Sequence, residues 1–269
     1  MKRKIAVRFA FAGFLLASGS TFLSAARAQS LASAPEHAAV VVELFTSEGC
    51  STCPPADSLL LKLEEQQGIE GAEVIAIEEH VDYWNHDGWI DPFSSSEWTM
   101  RQQDYAATFK IDGVYTPQMV IDGREQFIGS RINQVSDAIR RNARRRKAKV
   151  AISQFAAAGK PAREFQVTLS DLVDPPEGDV SELWLLITEK GLRSHVNAGE
   201  NAGKNLQHAS VVRWMRKLGV ANGKEARFSW QSTVKLKPSW NAQNLRAVAL
   251  LQAHRSKQIL GAASLAIAR

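Results

Sequence analysis

From residue 39 onward, short apolar runs alternate with polar stretches in an order that predicts a β-α-β beginning. The run Ala39–Phe45, AVVVELF, is almost wholly apolar and β-branched, as expected of a strand covered on both faces. Pro54 and Pro55 follow within ten residues and open a segment, Ala56–Gln67, that reads as a helix. Proline is tolerated in a first turn because the missing N–H has no helical partner there. Ala72–Ile77 gives a second buried strand, which a helical crossover makes parallel to the first. His80–Phe93 is crowded with aromatic and polar residues and predicts a long loop, and Ser96–Phe109 predicts a helix. Gln118–Asp122 and Gln126–Ile128, joined at Asp122-Gly123, predict a hairpin, with a helix over Ile132–Lys147 behind it.

The texture changes after Lys149. Apolar, β-rich runs recur at Val150–Phe155, Glu164–Leu169, Glu182–Glu189, Val211–Trp214, Ala226–Val234, Ala247–His254 and Ile259–Ile267. Short strands in such a series predict a β-sandwich, with Ser256-Lys257-Gln258 as one hairpin turn. The expected architecture is therefore an α/β domain over 39–148 followed by an all-β, sandwich-like domain over 149–269.

The first residues change the picture of charge. Lys2, Arg3, Lys4 and Arg8 precede an apolar stretch from Phe9 to Leu23, and Ala26-Arg27-Ala28 supplies small residues for cleavage. This is the pattern of a signal peptide over 1–28, with residues 29–38 as a flexible leader and Gln29 as the first mature residue. Removing the five basic residues of 1–28 from 33 leaves 28, equal to the 28 acidic residues. A mature charge near zero removes the electrostatic reason to expect nucleic acid as a partner. No later stretch is long and apolar enough for a membrane span. The basic run Arg140–Lys149 reads as a solvated helix end.

Export predicts a periplasmic or secreted location, an oxidising environment, yet the chain has only 2 cysteines and they lie three apart. So short a loop makes a poor staple, so the pair reads as reactive. In Cys50-Ser51-Thr52-Cys53, free N–H groups at a helix start favour a thiolate on Cys50, the nucleophile. Cys53, one turn further in, can displace a partner from the mixed disulfide. A zinc site would want two more N or S ligands, and there is no second cysteine pair.

The order strand, Cys-x-x-Cys, helix, strand, helix, Thr-Pro, hairpin, helix resembles the thioredoxin superfamily. More narrowly, VELFTSEGCSTCPPAD, HVDYWNHDGWIDPF, RQQDYA, VYTPQMVIDGR and GENAGKNLQHASVVR are similar to the secreted thioredoxin-like family DUF1223 over roughly residues 39–220. The resemblance implies a cis peptide bond at Thr116-Pro117 opposite the cysteines, receiving a substrate's extended backbone. It also implies a buried carboxylate under the second cysteine, for which Glu43 is the candidate proton carrier, although a one-residue bulge is needed to align it and a structural role at the strand edge is as good a reading. The family brings no established substrate.

Ser51 and Thr52, together with His80, Tyr83 and Trp84 of the aromatic loop, are the candidate substrate-binding residues. His80, Asp82, His86, Asp87 and Asp91 match no standard metal spacing, so that loop reads first as a packed lid beside Cys50. Glu200, Asn201 and His208 read as a local turn network. These features predict an exported thiol-disulfide oxidoreductase acting on protein or small-molecule thiols, needing no bound cofactor and no metal, with an envelope redox protein as a possible partner class. Two alternatives stay open: a copper or zinc carrier using Cys50 and Cys53 with His80 or His86, and an envelope interaction protein whose cysteine pair is incidental.

Overall fold

The computed structural model describes residues 37–86, 88–156, 162–221 and 227–268. The expected signal peptide and residues 29–36 of the leader lie outside them. The chain runs β1 (Ala38–Thr46), α1 (Pro54–Gln66), β2 (Ala72–His80), α2 (Ser96–Phe109), β3 (Gln118–Ile121), β4 (Glu125–Ile128) and α3 (Ile132–Ala143). It continues through β5 (Lys149–Ala156), β6 (Ala162–Ser170), β7 (Ser181–Glu189), β8 (Arg193–His195), β9 (Asn205–Gln207), β10 (Val211–Ala221), β11 (Arg227–Lys235), β12 (Leu245–Ala253) and β13 (Ile259–Ala266). Among the described residues, no helix is long and apolar enough to cross a membrane.

The result is a mixed α/β fold around one large mixed sheet. β1 and β2 are parallel, as the crossover through α1 requires, and β3 returns antiparallel along the other side of β1. The sheet then extends well past these strands, in the order β13-β12-β7-β10-β2-β1-β3-β4. Strands from both sides of residue 149 therefore share one sheet, whereas the sequence pattern predicts two sheets belonging to separate bodies. The join is narrow: β10 meets β2 in parallel at Val211 and Glu78, and the Glu78 N–H donates to the Ser210 carbonyl at 2.9 Å. Without β10, the unpaired edge of β2 would expose N–H and C=O groups that must find partners.

Alternation along the strands sorts the core into faces. Val40, Val42 and Leu44 of β1 pack with Leu60 of α1 and Val135 and Ile139 of α3, while Val41, Ile75 and Ile77 pack on Trp98 of α2. On β7, Leu183, Leu185 and Ile187 face a second sheet, β11-β6-β5, through Phe165, Val167 and Leu169. Two packed sheets do exist in the second half, but one of them is also the sheet of the first half.

α3 ends at Ala143, short of the predicted Lys147. Lys147 turns inward instead, pairing with Asp122 at 2.5 Å and bonding the Ala39 carbonyl, so it does not belong to the solvated run around it. Asp122 in turn accepts the Val41 N–H at 2.8 Å. The Asp122-Gly123 turn has φ of 48° and 63°, the left-handed pair that the sequence signal predicts.

Gly123 has a second reason to be glycine, because an added Cβ would lie 1.9 Å from the Lys257 carbonyl oxygen in the β12–β13 turn. Gly123→Ala is expected to cost about 2–4 kcal/mol through overpacking and a disfavoured φ, measured by urea unfolding. A loss below about 1 kcal/mol would contradict this close approach of the two turns.

Candidate functional site

β1 delivers the chain to a tight turn at its carboxyl end. The Cys50 N–H donates to the Ser47 carbonyl and the Cys53 N–H to the Cys50 carbonyl, both at 3.2 Å, and Cys53 is the residue capping α1. Cys50 and Cys53 form a disulfide. Both cysteines are fully buried, while Ser51 and Thr52 between them are exposed. The sulfur of Cys50, the expected nucleophile, is therefore enclosed at the helix start, although its neighbours in the turn are not.

Part of the cover comes from the aromatic loop. Trp84 lies against Gly49, where an added Cβ would meet its Cβ at 3.0 Å, and its indole N–H donates to the Thr116 hydroxyl at 2.8 Å. The Thr116–Pro117 bond is cis. Pro117 and Ala56 of α1 both close on Gly129, whose added Cβ would meet them at 3.2 and 2.8 Å. Trp84 thus links Thr116 to the cysteine turn, and Tyr83, whose hydroxyl donates to Gln102 at 3.2 Å, also reaches the Thr116 side chain.

The rest of the cover comes from the second half, from residues that read locally as turn formers. Asn201 donates one side-chain amide to two carbonyls of the cysteine turn, Glu48 at 2.8 Å and Cys50 at 2.9 Å. The Glu200 carboxylate accepts the Ser51 N–H at 3.1 Å. These bonds join positions about 150 residues apart, so the reading of Glu200 and Asn201 as a local turn network is corrected to a clasp on the cysteines.

Beneath the turn lies a buried imidazole–carboxylate cluster. His80 lies between Asp91, 2.7 Å from Nδ1, and Glu78, 3.2 Å from Nε2. His208 lies between Glu78, 2.8 Å from Nδ1, and Glu48, 3.0 Å from Nε2. Glu48 also accepts the Trp89 indole N–H at 2.8 Å, and Asp91 accepts the Glu48 N–H at 2.8 Å. Burial opposes charge on His208, but Glu78 and Glu48 outweigh it and carry its pKa up to about 9. His80 is likewise raised well above its usual value, burial being outweighed by Asp91 and Glu78. Asp57, four residues after Cys53 and bonded to the Thr46 hydroxyl at 2.6 Å, is pushed up to about 7 by burial and the Glu78 charge. His80 is therefore part of this buried network and contacts no open surface. Among the described residues, the side chains that converge as a metal-ligating group are Glu78, His80 and His208, without either cysteine.

The model of a family described as "Protein of unknown function (DUF1223)" matches residues 41–252 of the chain. The chain belongs to the DUF1223 family. A crystal structure of protein AGR_C_4864 from Agrobacterium tumefaciens is similar to this DUF1223 chain at 27% identity and a TM-score of 0.65, over 88% of this chain and 97% of that one. HBP35 of Porphyromonas gingivalis shares the fold at 18% identity and a TM-score of 0.59, over 86% of this chain and 76% of its own. No curated protein matches the chain.

Glu43, the candidate proton carrier, lies elsewhere in this DUF1223 structure. It shares a face of β1 with Phe45, and its carboxylate is held by Arg101 at 2.6 Å and Tyr105 at 2.5 Å, both on α2. The α1 side, which carries the cysteines, belongs to Leu44. Arg101 also lies 3.2 Å from Glu79, whose oxygens make no hydrogen bond and whose pKa burial pushes up to about 8. The structural reading of Glu43 replaces the catalytic one.

One guanidinium therefore lies between two buried carboxyl groups and is hydrogen-bonded to the Glu43 carboxylate. Arg101→Met is expected to lose about 3–5 kcal/mol of stability, because it leaves buried charge uncompensated. Adding Glu43→Gln should recover a large part of that loss in a double-mutant cycle by urea unfolding. A single-mutant loss under about 1 kcal/mol would contradict the pairing.

Proposed function

We propose that this DUF1223 protein is an exported thiol-disulfide oxidoreductase with a thioredoxin-like arrangement over residues 39–148. The observation that carries the reading is a Cys50–Cys53 disulfide in the turn between β1 and α1, with the cis Thr116–Pro117 bond tied through Trp84 to the neighbouring Gly49. A parallel β1-α1-β2 unit, an antiparallel hairpin and α3 beside α1 support it. The signal-like pattern at the start of the sequence supports work in the periplasm or outside the cell.

The electrons balance on the sulfurs alone. A partner thiolate attacks Cys50 Sγ, the Cys50–Cys53 bond breaks, and Cys53 leaves as a thiolate that takes up a proton. The partner's second thiolate then attacks its own sulfur in the mixed disulfide and expels Cys50. The partner dithiol has become a disulfide, and the cysteine pair has gained two electrons and two protons. The same steps in reverse reduce a partner disulfide, with Cys53 resolving. Covering by Trp84, Glu200 and Asn201 means that contact with a partner must first move the aromatic loop or the clasp.

Cys53→Ser is expected to accumulate mixed disulfides with its natural partners through Cys50, because no second thiol remains to displace them. Cys50→Ser is expected to accumulate at least several-fold fewer. Non-reducing gels of exported protein from both variants make the comparison. Equal trapping by both variants, or none by either, would contradict the assigned roles.

A further inference from the structure

We propose that Glu78, His80 and His208 form a binding site for a divalent zinc-like ion, buried beneath the cysteine turn and independent of its sulfurs. The candidate ligand atoms of the three residues lie within 4.8 Å of one another. More tellingly, the two imidazoles aim their inner nitrogens at one atom: His80 Nε2 is 3.2 Å and His208 Nδ1 is 2.8 Å from Glu78 Oε1. Neighbouring ligand atoms around a tetrahedral zinc with bonds of about 2.0–2.1 Å lie about 3.3 Å apart, close to the two nitrogen–Oε1 separations here.

Each ligand is also backed from behind. The outer nitrogen of His80 is held by Asp91 at 2.7 Å, and the outer nitrogen of His208 by Glu48 at 3.0 Å. The second oxygen of Glu78 accepts the Ala209 N–H at 2.5 Å. A carboxylate behind each imidazole fixes ring orientation and leaves the facing nitrogen to the metal, which is how ligating histidines are held. Two imidazoles and one carboxylate suit zinc, with water completing the coordination. The ligands come from β2 and from the segment between β9 and β10, so the ion joins the two halves of the sheet at the β2–β10 seam.

The three ligands and the two carboxylates behind them lie within the fold: Glu48, Glu78 and His80 are fully buried, His208 is 1% exposed and Asp91 2%. The ion therefore enters as the chain folds, and the test must load it that way. Full-length mature protein, with its disulfide intact so that no thiolate is present, is unfolded in urea with EDTA and refolded with zinc or with EDTA. Zinc content after gel filtration should be one per chain, and the zinc-refolded protein should melt at higher temperature. Cobalt in place of zinc should give visible absorption bands. His208→Gln and Glu78→Gln should each lose the ion, and Asp91→Asn should weaken binding about 10–100-fold, with folding checked by circular dichroism. Folded wild-type protein that retains no zinc after zinc refolding would overturn the site. Zinc retained unchanged by folded His208→Gln protein would overturn it as well. Neither result bears on disulfide exchange, which is assayed separately on the metal-free protein.

Discussion

Everything near the cysteines depends on satisfying a buried charge cluster. Glu48, Glu78, Asp91, His80 and His208 are removed from water together, and each has a partner of opposite character within 3.2 Å. A buried charge left without its partner costs several kcal/mol, so none of these contacts can open alone. Because the members come from the cysteine turn, β2, the aromatic loop and the segment before β10, four separate pieces of chain are held in one register. The covered cysteine turn, the Trp84 contact and the Asn201 clasp are all laid over this base.

That base explains why a sheet spans both halves of the chain with so slight a backbone join. One parallel register pair between β10 and β2 would be a weak seam by itself. His208 and Ala209, three and two residues before β10, bind the Glu78 carboxylate from the next strand and make the seam polar as well as backbone-bonded. The second half thereby becomes part of the site, reaching the Cys50 carbonyl through Asn201 and the Ser51 N–H through Glu200. On the proposed exchange reaction, a disulfide covered in this way must be uncovered by its partner, which would tie reactivity to recognition.

Features written in local chemistry were legible in the sequence. Asp122-Gly123 specifies its turn, and Pro54-Pro55 mark the start of α1. The β-branched runs located most strands, missing only the three-residue β8 and β9 among those described. Features that rest on distant pairing were not legible. Nothing near Asn201 or His208 announces partners about 130–160 residues earlier, and their Gly-rich surroundings look like an ordinary loop. Glu43 misled for a different reason: a strand sends successive side chains to opposite faces, and nearness in sequence to Cys50 says nothing about which face a residue takes. Lys147 shows the same limit, since its Asp122 partner is invisible in a run that otherwise reads as solvated charge.

The central claim is that Cys50–Cys53 exchanges electrons with partners, and its equilibrium reduction potential tests this most directly. Titration of the purified protein in glutathione or dithiothreitol redox buffers, read by thiol alkylation, gives that potential. An exchange-active pair should titrate above about −300 mV, within reach of envelope thiol systems. A pair that stays oxidised well below that value, or that no buffer reduces while the protein remains folded, would make the disulfide a structural bond and contradict the account.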